Sequence, residues 1–193
     1  MYIRWIKPVL DIAVGIVGAL IGIPFLALIA LIVFFATGNN PFFTQKRVGQ
    51  YGKLFSVIKF KTMTDAKDAD GNFLPDEERE TRIGNFLRST SIDELPQIFN
   101  ILKGEMSLVG PRPWIPSQLE NFSDLKLDRR CKVKPGMTGL AQVRGRNEIP
   151  FEKRMSYDLH YVRHCSFITD ICILRKTIVK VFKREGIRQR ISV

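Results

Sequence analysis

From Ile12 to Gln45 the chain carries no charged residue, and Gly22-Ile23-Pro24 interrupts that run near its middle. The text is IAVGIVGALIGIPFLALIALIVFFATGNNPFFTQ. About 20 apolar residues suffice to cross the hydrocarbon core of a bilayer, so the segment is long enough. Basic residues flank both ends: Arg4 and Lys7 before it, Lys46, Arg47 and Lys53 after it. A Lys/Arg excess marks the cytoplasmic side, and a segment that dips in and returns to the same face satisfies both flanks. Pro24 lacks an N–H and clashes with the carbonyl of Leu20, so a helix is expected to kink at Ile23-Pro24. The expectation is a re-entrant helix–break–helix anchor over residues 1–40. The alternative is an ordinary transmembrane helix that tolerates its proline.

Residues 41–193 are enough for one further domain with a modest core. The net charge of +11 over 193 residues suits anionic lipid, phosphorylated substrates or nucleic acid. The basic patches lack interleaved aromatics and any nucleic-acid module, so nucleic acid is not an expected partner. Cys131, Cys165 and Cys172 are odd in number and show no CxxC spacing. That excludes a disulfide framework and fits a reducing compartment. The apolar run is too long for a secretory h-region and no A-x-A-like site follows it. The polar domain is therefore expected in the cytoplasm.

Gly49 and Gly52 read as a hairpin loop leading into a strand, Leu54 to Phe60. Residues 65–80 are acidic and broken by Gly71-Asn72 and Pro75, the composition of a mobile loop. Thr81 to Leu87 and Ser91 to Lys103 carry apolar residues at helical spacing, with Gly104 as a stop for the second. A polar helix with Leu119 and Phe122 is expected after the Gly110-Pro111-Arg112-Pro113 loop. Leu140 to Val143 reads as a strand and Glu152 to His164 as a helix. Phe167 to Lys183 sets Phe167, Ile168, Ile171, Leu174, Ile178 and Phe182 against Lys176, Lys180 and Lys183. That stripe can pack on the core or lie in the headgroup region of a membrane. No regular strand–helix–strand alternation appears, so the fold class is mixed α+β with a short, antiparallel sheet.

The segment richest in chemistry is Arg88-Ser89-Thr90-Ser91-Ile92-Asp93-Glu94-Leu95-Pro96-Gln97. Ser91-x-x-Glu94 fits a capping box, with Asp93 set favourably against the helix dipole. The same adjacent carboxylates can act as a nucleophile toward phosphorus and as ligands for Mg²⁺. Arg88 and Arg112 frame them, and a guanidinium grips phosphate through two parallel hydrogen bonds. Pro111 and Pro113 stiffen the loop that holds Arg112. Arg144-Gly145-Arg146-Asn147 adds two arginines around a glycine, where backbone can approach a ligand closely. Lys59 and Lys61 can add positive charge. His160 and His164, four apart, lack the glutamate of a zincin motif.

Taken in order, the proline-interrupted anchor, FTQKRVGQYGKLFSVIKFKTM, RSTSIDELPQIFNILKGEMSLVGPRP, KPGMTGLAQVRGRN and YDLHYVRHCSFITDICILRKT span nearly the whole chain. In these motifs the chain resembles the small monotopic phosphoglycosyl transferases of bacteria. In size and layout it is similar to the minimal form that opens N-linked glycoprotein assembly. The resemblance implies transfer of a sugar-1-phosphate from a UDP-sugar to polyprenol phosphate, with release of UMP and a need for Mg²⁺. It implies Asp93 as nucleophile and Glu94 as its dyad partner, both candidates for the metal. Arg88, Arg112 and Pro113 match the phosphate-binding positions, with Lys59 beside them, and residues 144–147 match the stretch bordering the nucleotide. It places the protein in one leaflet, on the cytoplasmic face of the bacterial inner membrane, with downstream glycosyltransferases as further partners. One departure stands out: the family commonly has Ser-Pro at the kink, and here Ile23 precedes Pro24. A reading from another class is a non-catalytic, membrane-anchored basic module, in which Asp93 and Glu94 serve helix stability alone.

Overall fold

In the computed structural model, which describes residues 1–118, 124–145 and 148–183, the apolar run forms one helix, α1 (Lys7–Thr37). A π-helical turn at Tyr2–Ile6 precedes it. Gly38 ends it in the left-handed conformation, φ 68°, with its N–H bonded to the Phe34 carbonyl. The expected break at Ile23-Pro24 does not occur, and the helix runs on with Pro24 in its interior. An interior proline costs about 3 kcal/mol, and packing on both sides of it offsets that cost. Buried residues Lys7, Asp11, Gly15, Ala19, Leu26, Ile29 and Val33 form one seam that starts well before Pro24 and continues after it.

The seam is docked on the rest of the chain from end to end. Lys7 pairs with Asp170 at 2.6 Å and Asp11 Oδ1 accepts the Leu108 N–H at 3.0 Å. Leu26, Ile29 and Val33 share a core cluster with Phe60 and Leu87. The opposite face, including Leu20, Ile21, Phe25, Leu28 and Phe35, is exposed.

Strands β1 (Phe42–Val48) and β2 (Leu54–Phe60) form the antiparallel hairpin expected around Gly49 and Gly52. The acidic stretch is not a bare loop: it holds a short helix, α2 (Asp76–Arg79), and a bridge between Lys67 and Phe73. Thr81 caps α3 (Arg82–Thr90) through its hydroxyl, which accepts the Gly84 N–H at 2.8 Å. A 3₁₀ turn, Ile92–Gln97, then leads into α4 (Ile98–Leu102) in place of one long helix. α4 packs across α1.

Strands β3 (Ser107–Val109) and β4 (Gly136–Thr138) pair in parallel, an addition to the expected antiparallel sheet. Their long connection, which includes α5 (Asp124–Arg130), makes a parallel pair possible. The expected helix around Leu119 and Phe122 lies outside the described residues. Residues Leu140–Arg144 form a helix, α6, where a strand was expected. Four residues are too few for their alternation to outweigh tertiary packing. α7 (Phe151–Arg163) and α8 (Phe167–Lys183) are the last of the described elements. α8 does not pack the apolar stripe on the core as a whole. Phe167, Ile168, Ile171, Ile178 and Phe182 are exposed, and Asp170 and Ile173 form the buried face.

Candidate active site

Asp93 and Glu94 stand on the 3₁₀ turn that follows α3. Ser91, at φ 58°, ends α3 and makes no side-chain cap to the turn. The capping-box reading of Ser91 and Glu94 is therefore overturned, because the Glu94 side chain turns to distant cations. Lys59 Nζ on β2 donates to its Oε1 at 2.6 Å. Arg112 closes on it with a fork, Nη2 at 2.7 Å from Oε1 and Nη1 at 3.5 Å from Oε2. Asp93 has no such grip: Lys59 Nζ lies 4.0 Å from its Oδ2.

Two neighbouring carboxylates thus share one set of cations unequally. Burial by itself would raise the Glu94 pKa, but Arg112 and then Lys59 overcome it and hold that carboxyl well below the ordinary range. Burial, then the Glu94 charge, push Asp93 up to about 6 against the pull of Lys59, Arg112 and Arg88. Asp93 is thus the more basic of the two carboxylates, and Glu94 is the one the cations hold.

The loop bearing Arg112 is fixed from below. Arg130 pairs with Asp158 at 2.8 Å, both fully buried, and also donates to the Arg112 carbonyl. Its guanidinium lies 4.2 Å over the Trp114 ring. Gly110 and Gly136 let the Gly110–Pro113 loop lie directly on the Pro135–Gly139 turn. A Cβ on Gly136 would stand 2.0 Å from the Gly110 nitrogen. Pro113 is buried, and its carbonyl accepts from Arg47 Nη1 at 3.2 Å.

Asn100, fully buried, ties α4 to β2. Its side chain donates to the Ser56 carbonyl at 2.8 Å and accepts from the Ile58 N–H at 3.1 Å, holding the dyad turn against Lys59's strand.

The structure brings together Asp93, Glu94, Lys59 and Arg112. Arg88 stands one step back: its Nε donates to Thr62 Oγ1 at 2.8 Å and its Nη1 pairs with Glu80 at 3.3 Å. Its charge still reaches Asp93. Arg144 closes α6 with an exposed side chain, and Gly145 follows at φ 156°, where a Cβ would meet Ile149 at 2.8 Å. Arg146 and Asn147 lie outside the described residues. α6 reaches the dyad through a cavity of about 360 Å³ that Glu94, Gln142 and Val143 all line. Sequence reasoning assigned no site role to Arg47, Asn100, Gln142 or the Arg130–Asp158 pair; Arg47, Asn100 and Arg130 meet partners far away in sequence. His160 and His164 stack on each other at the exposed end of α7, bearing no relation to the dyad.

For a divalent cation the donor set is two hard carboxylates. Mg²⁺ is held by one or two carboxylates together with substrate phosphates, so Asp93 and Glu94 fit it without a third protein ligand. Among the described residues no cluster of three or more metal-ligating side chains occurs.

The sequence model of the family described as bacterial sugar transferase matches residues 2–184. A Bacillus subtilis (strain 168) protein named uncharacterized sugar transferase EpsL is 51% identical over 152 residues, 79% of this chain and 75% of that one. The undecaprenyl-phosphate galactose phosphotransferase of Salmonella typhimurium is 38% identical over 200 residues, 95% of this chain. The UDP-glucose:undecaprenyl-phosphate glucose-1-phosphate transferase of Klebsiella pneumoniae is 44% identical over 168 residues, 82% of this chain. The chain spans 42% and 36% of the length of those two relatives.

Proposed function

The chain belongs to the bacterial sugar transferase family, and from that membership and the geometry of the dyad we propose that it is a phosphoglycosyl transferase. It moves a sugar-1-phosphate from a UDP-sugar to polyprenol phosphate. The observation that carries this reading is the unequal pair: Glu94 clamped by Lys59 and Arg112, and Asp93 beside it, partly buried and less paired. The names of the Salmonella and Klebsiella relatives support the lipid acceptor, and the Klebsiella name supports the UDP-linked donor.

In the proposed mechanism an Asp93 carboxylate oxygen attacks the β-phosphorus of the donor. The bond from that phosphorus to the bridging oxygen breaks, and UMP leaves with the electron pair. The sugar-phosphate is then an acyl phosphate on Asp93, which is itself a good leaving group. An oxygen of the acceptor phosphate attacks the same phosphorus, the bond to Asp93 breaks, and the carboxylate is restored. Arg112 and Lys59, held in place by Glu94, stabilise the charge on the transferring phosphoryl oxygens. Bound beside Asp93 and Glu94, Mg²⁺ would supply further neutralisation of the diphosphate. Arg88 and the 144–147 loop border the donor.

The acceptor is a lipid, so the site must work at a membrane surface. The exposed apolar faces of α1 and α8 support that placement, since contiguous apolar surface marks membrane contact. The two helices meet through Lys7–Asp170 and the Tyr2–Phe167 ring contact. The docked seam of α1 supports association with one side: a helix crossing the bilayer upright would draw its docked domain into the hydrocarbon. We assign the cytoplasmic face of the bacterial inner membrane, where the product would pass to downstream glycosyltransferases.

The test uses detergent-solubilised protein, Mg²⁺, undecaprenyl phosphate and a panel of UDP-sugars, with UMP release and intact-protein mass as readouts. UMP formed by the wild type, lost in Asp93→Asn, with a phosphosugar adduct on the wild type, is the expected result. A folded protein that releases no UMP across the panel, with or without EDTA, would favour the non-catalytic membrane module.

A further inference from the structure

The cavity beside the dyad is walled mostly by apolar side chains. Its walls are Ile92 and Leu95 from the dyad turn, with Leu108, Met137, Val143 and Leu174. At about 360 Å³ it falls within the roughly 300–1,000 Å³ of small-molecule sites. Its lining includes Glu94 of the dyad and also Lys180 and Val181, on the α8 segment whose apolar side chains are exposed. Thr138 and Thr177 satisfy each other across the wall, their hydroxyls 2.7 Å apart.

Gln142 breaks this pattern. It is 7% exposed, and neither its Nε2 nor its Oε1 has a hydrogen-bond partner among the described residues. An unpaired buried amide costs roughly 1–3 kcal/mol, so a partner that arrives with a ligand would explain its presence. A sugar or a base would need several polar partners, and the wall's Thr90, Glu94, Thr138 and Thr177 are already bonded within the protein, which leaves the Gln142 amide. A ligand with an apolar chain and a single anionic head matches both features.

Resting on the transferase reading above, we propose that this cavity is the acceptor's pocket. It holds the phosphate-proximal isoprene units of polyprenol phosphate, and the Gln142 amide donates to the acceptor phosphate beside Glu94. The lipid enters from the bilayer past α8. Gln142 is a binding and positioning residue for the phosphate, and the apolar wall selects an isoprenoid phosphate over a soluble one.

The two half-reactions separate this proposal from the one it rests on. The donor alone yields a burst of UMP, and turnover beyond the burst needs the acceptor. Gln142→Leu and the cavity-filling Leu174→Phe are each expected to keep the burst amplitude and raise the acceptor KM. For Gln142→Leu the rise is roughly 10- to 100-fold, the worth of one hydrogen bond to a charged group. Its melting temperature stays level or rises, because a buried unpaired amide is gone. An acceptor KM within twofold of wild type in both variants would overturn the pocket, as would a rise confined to the donor KM. A wild type with no burst would instead sink the transferase reading, and the pocket with it. Photo-crosslinking of the wild type with a diazirine-bearing polyprenyl phosphate gives an answer that does not depend on either variant folding. Labels within 90–95, 137–143 or 173–181 support the pocket, and labels confined to α1 overturn it.

Discussion

Two charge clusters are built into the same fold on opposite terms. At one, Asp170 meets Lys7 at 2.6 Å, Tyr2 at 2.6 Å and Tyr161 at 2.7 Å. Both Asp170 oxygens are bonded, and the nearby buried Asp11 is bonded separately, to the Leu108 N–H. At the other, two carboxylates compete for Lys59 and Arg112, and Glu94 takes the short contacts. The first cluster is closed and joins α1 to α8. The second is left uneven, and the unevenness puts a raised pKa on Asp93. Buried charge by itself does not mark a reactive site; here the uneven sharing of cations is what distinguishes the dyad.

Removing the reactive member should give the largest effect. Asp93→Asn is expected to lower turnover by roughly 10⁴-fold or more, as loss of a nucleophile does, read as UMP release. The same change should raise stability at pH 7.5 in metal-free micelles. The folded pKa of Asp93, about 6, lies above its unfolded value. The folded state therefore binds the extra proton as pH falls through about 6 to 4, and ionised Asp93 opposes folding above that window. Asparagine escapes this, so the variant should gain about 2 kcal/mol at pH 7.5. The gain should vanish near pH 4, as thermal melts at the two pH values would show.

At the closed cluster the order reverses. Asp170→Ala strands a buried ammonium and should cost about 3–5 kcal/mol. The double change Lys7→Met, Asp170→Leu should recover most of that, because a pair replaced whole leaves no orphan charge. Chemical denaturation in micelles reads both. Glu94→Gln should fall between the clusters in size. Its folded pKa is depressed, so its contribution is present above the unfolded carboxyl range and is lost as pH falls toward the folded pKa. The variant should lose about 1–3 kcal/mol at pH 7, and acid should narrow the gap from wild type. The smallest folding effect belongs to Phe182→Ser, which should change stability by no more than about 0.5 kcal/mol. Phe182 is 84% exposed. Its loss should be visible as weaker co-sedimentation with phospholipid vesicles.

Where local chemistry dictated structure, the sequence was readable. Gly49 and Gly52 bracket the hairpin, Thr81 caps its helix, and Gly104 stands in the left-handed conformation just after α4. The carboxylate pair was visible as a pair. Its division of labour was not, because Lys59 and Arg112 come from 35 and 18 residues away. The capping box competed as a purely local explanation and lost to those long-range contacts. α8 shows a different limit: periodicity revealed an apolar face without revealing whether protein or lipid meets it. Asn100 and the Arg130–Asp158 pair act only through tertiary contact, and no spacing announces them.

The clasp between Lys7 and Asp170 spans 163 positions of chain. A ribosome adding about 5–20 residues per second delivers Asp170 roughly 8–30 s after Lys7. Through that interval the apolar helix has been made and its counter-ion has not. The membrane must act as the waiting room, holding α1 by its outer face while the inner seam stays unfilled. A helix synthesised long after α1 secures it, so a chain stalled short of α8 leaves a loosely held anchor for quality-control proteases to find.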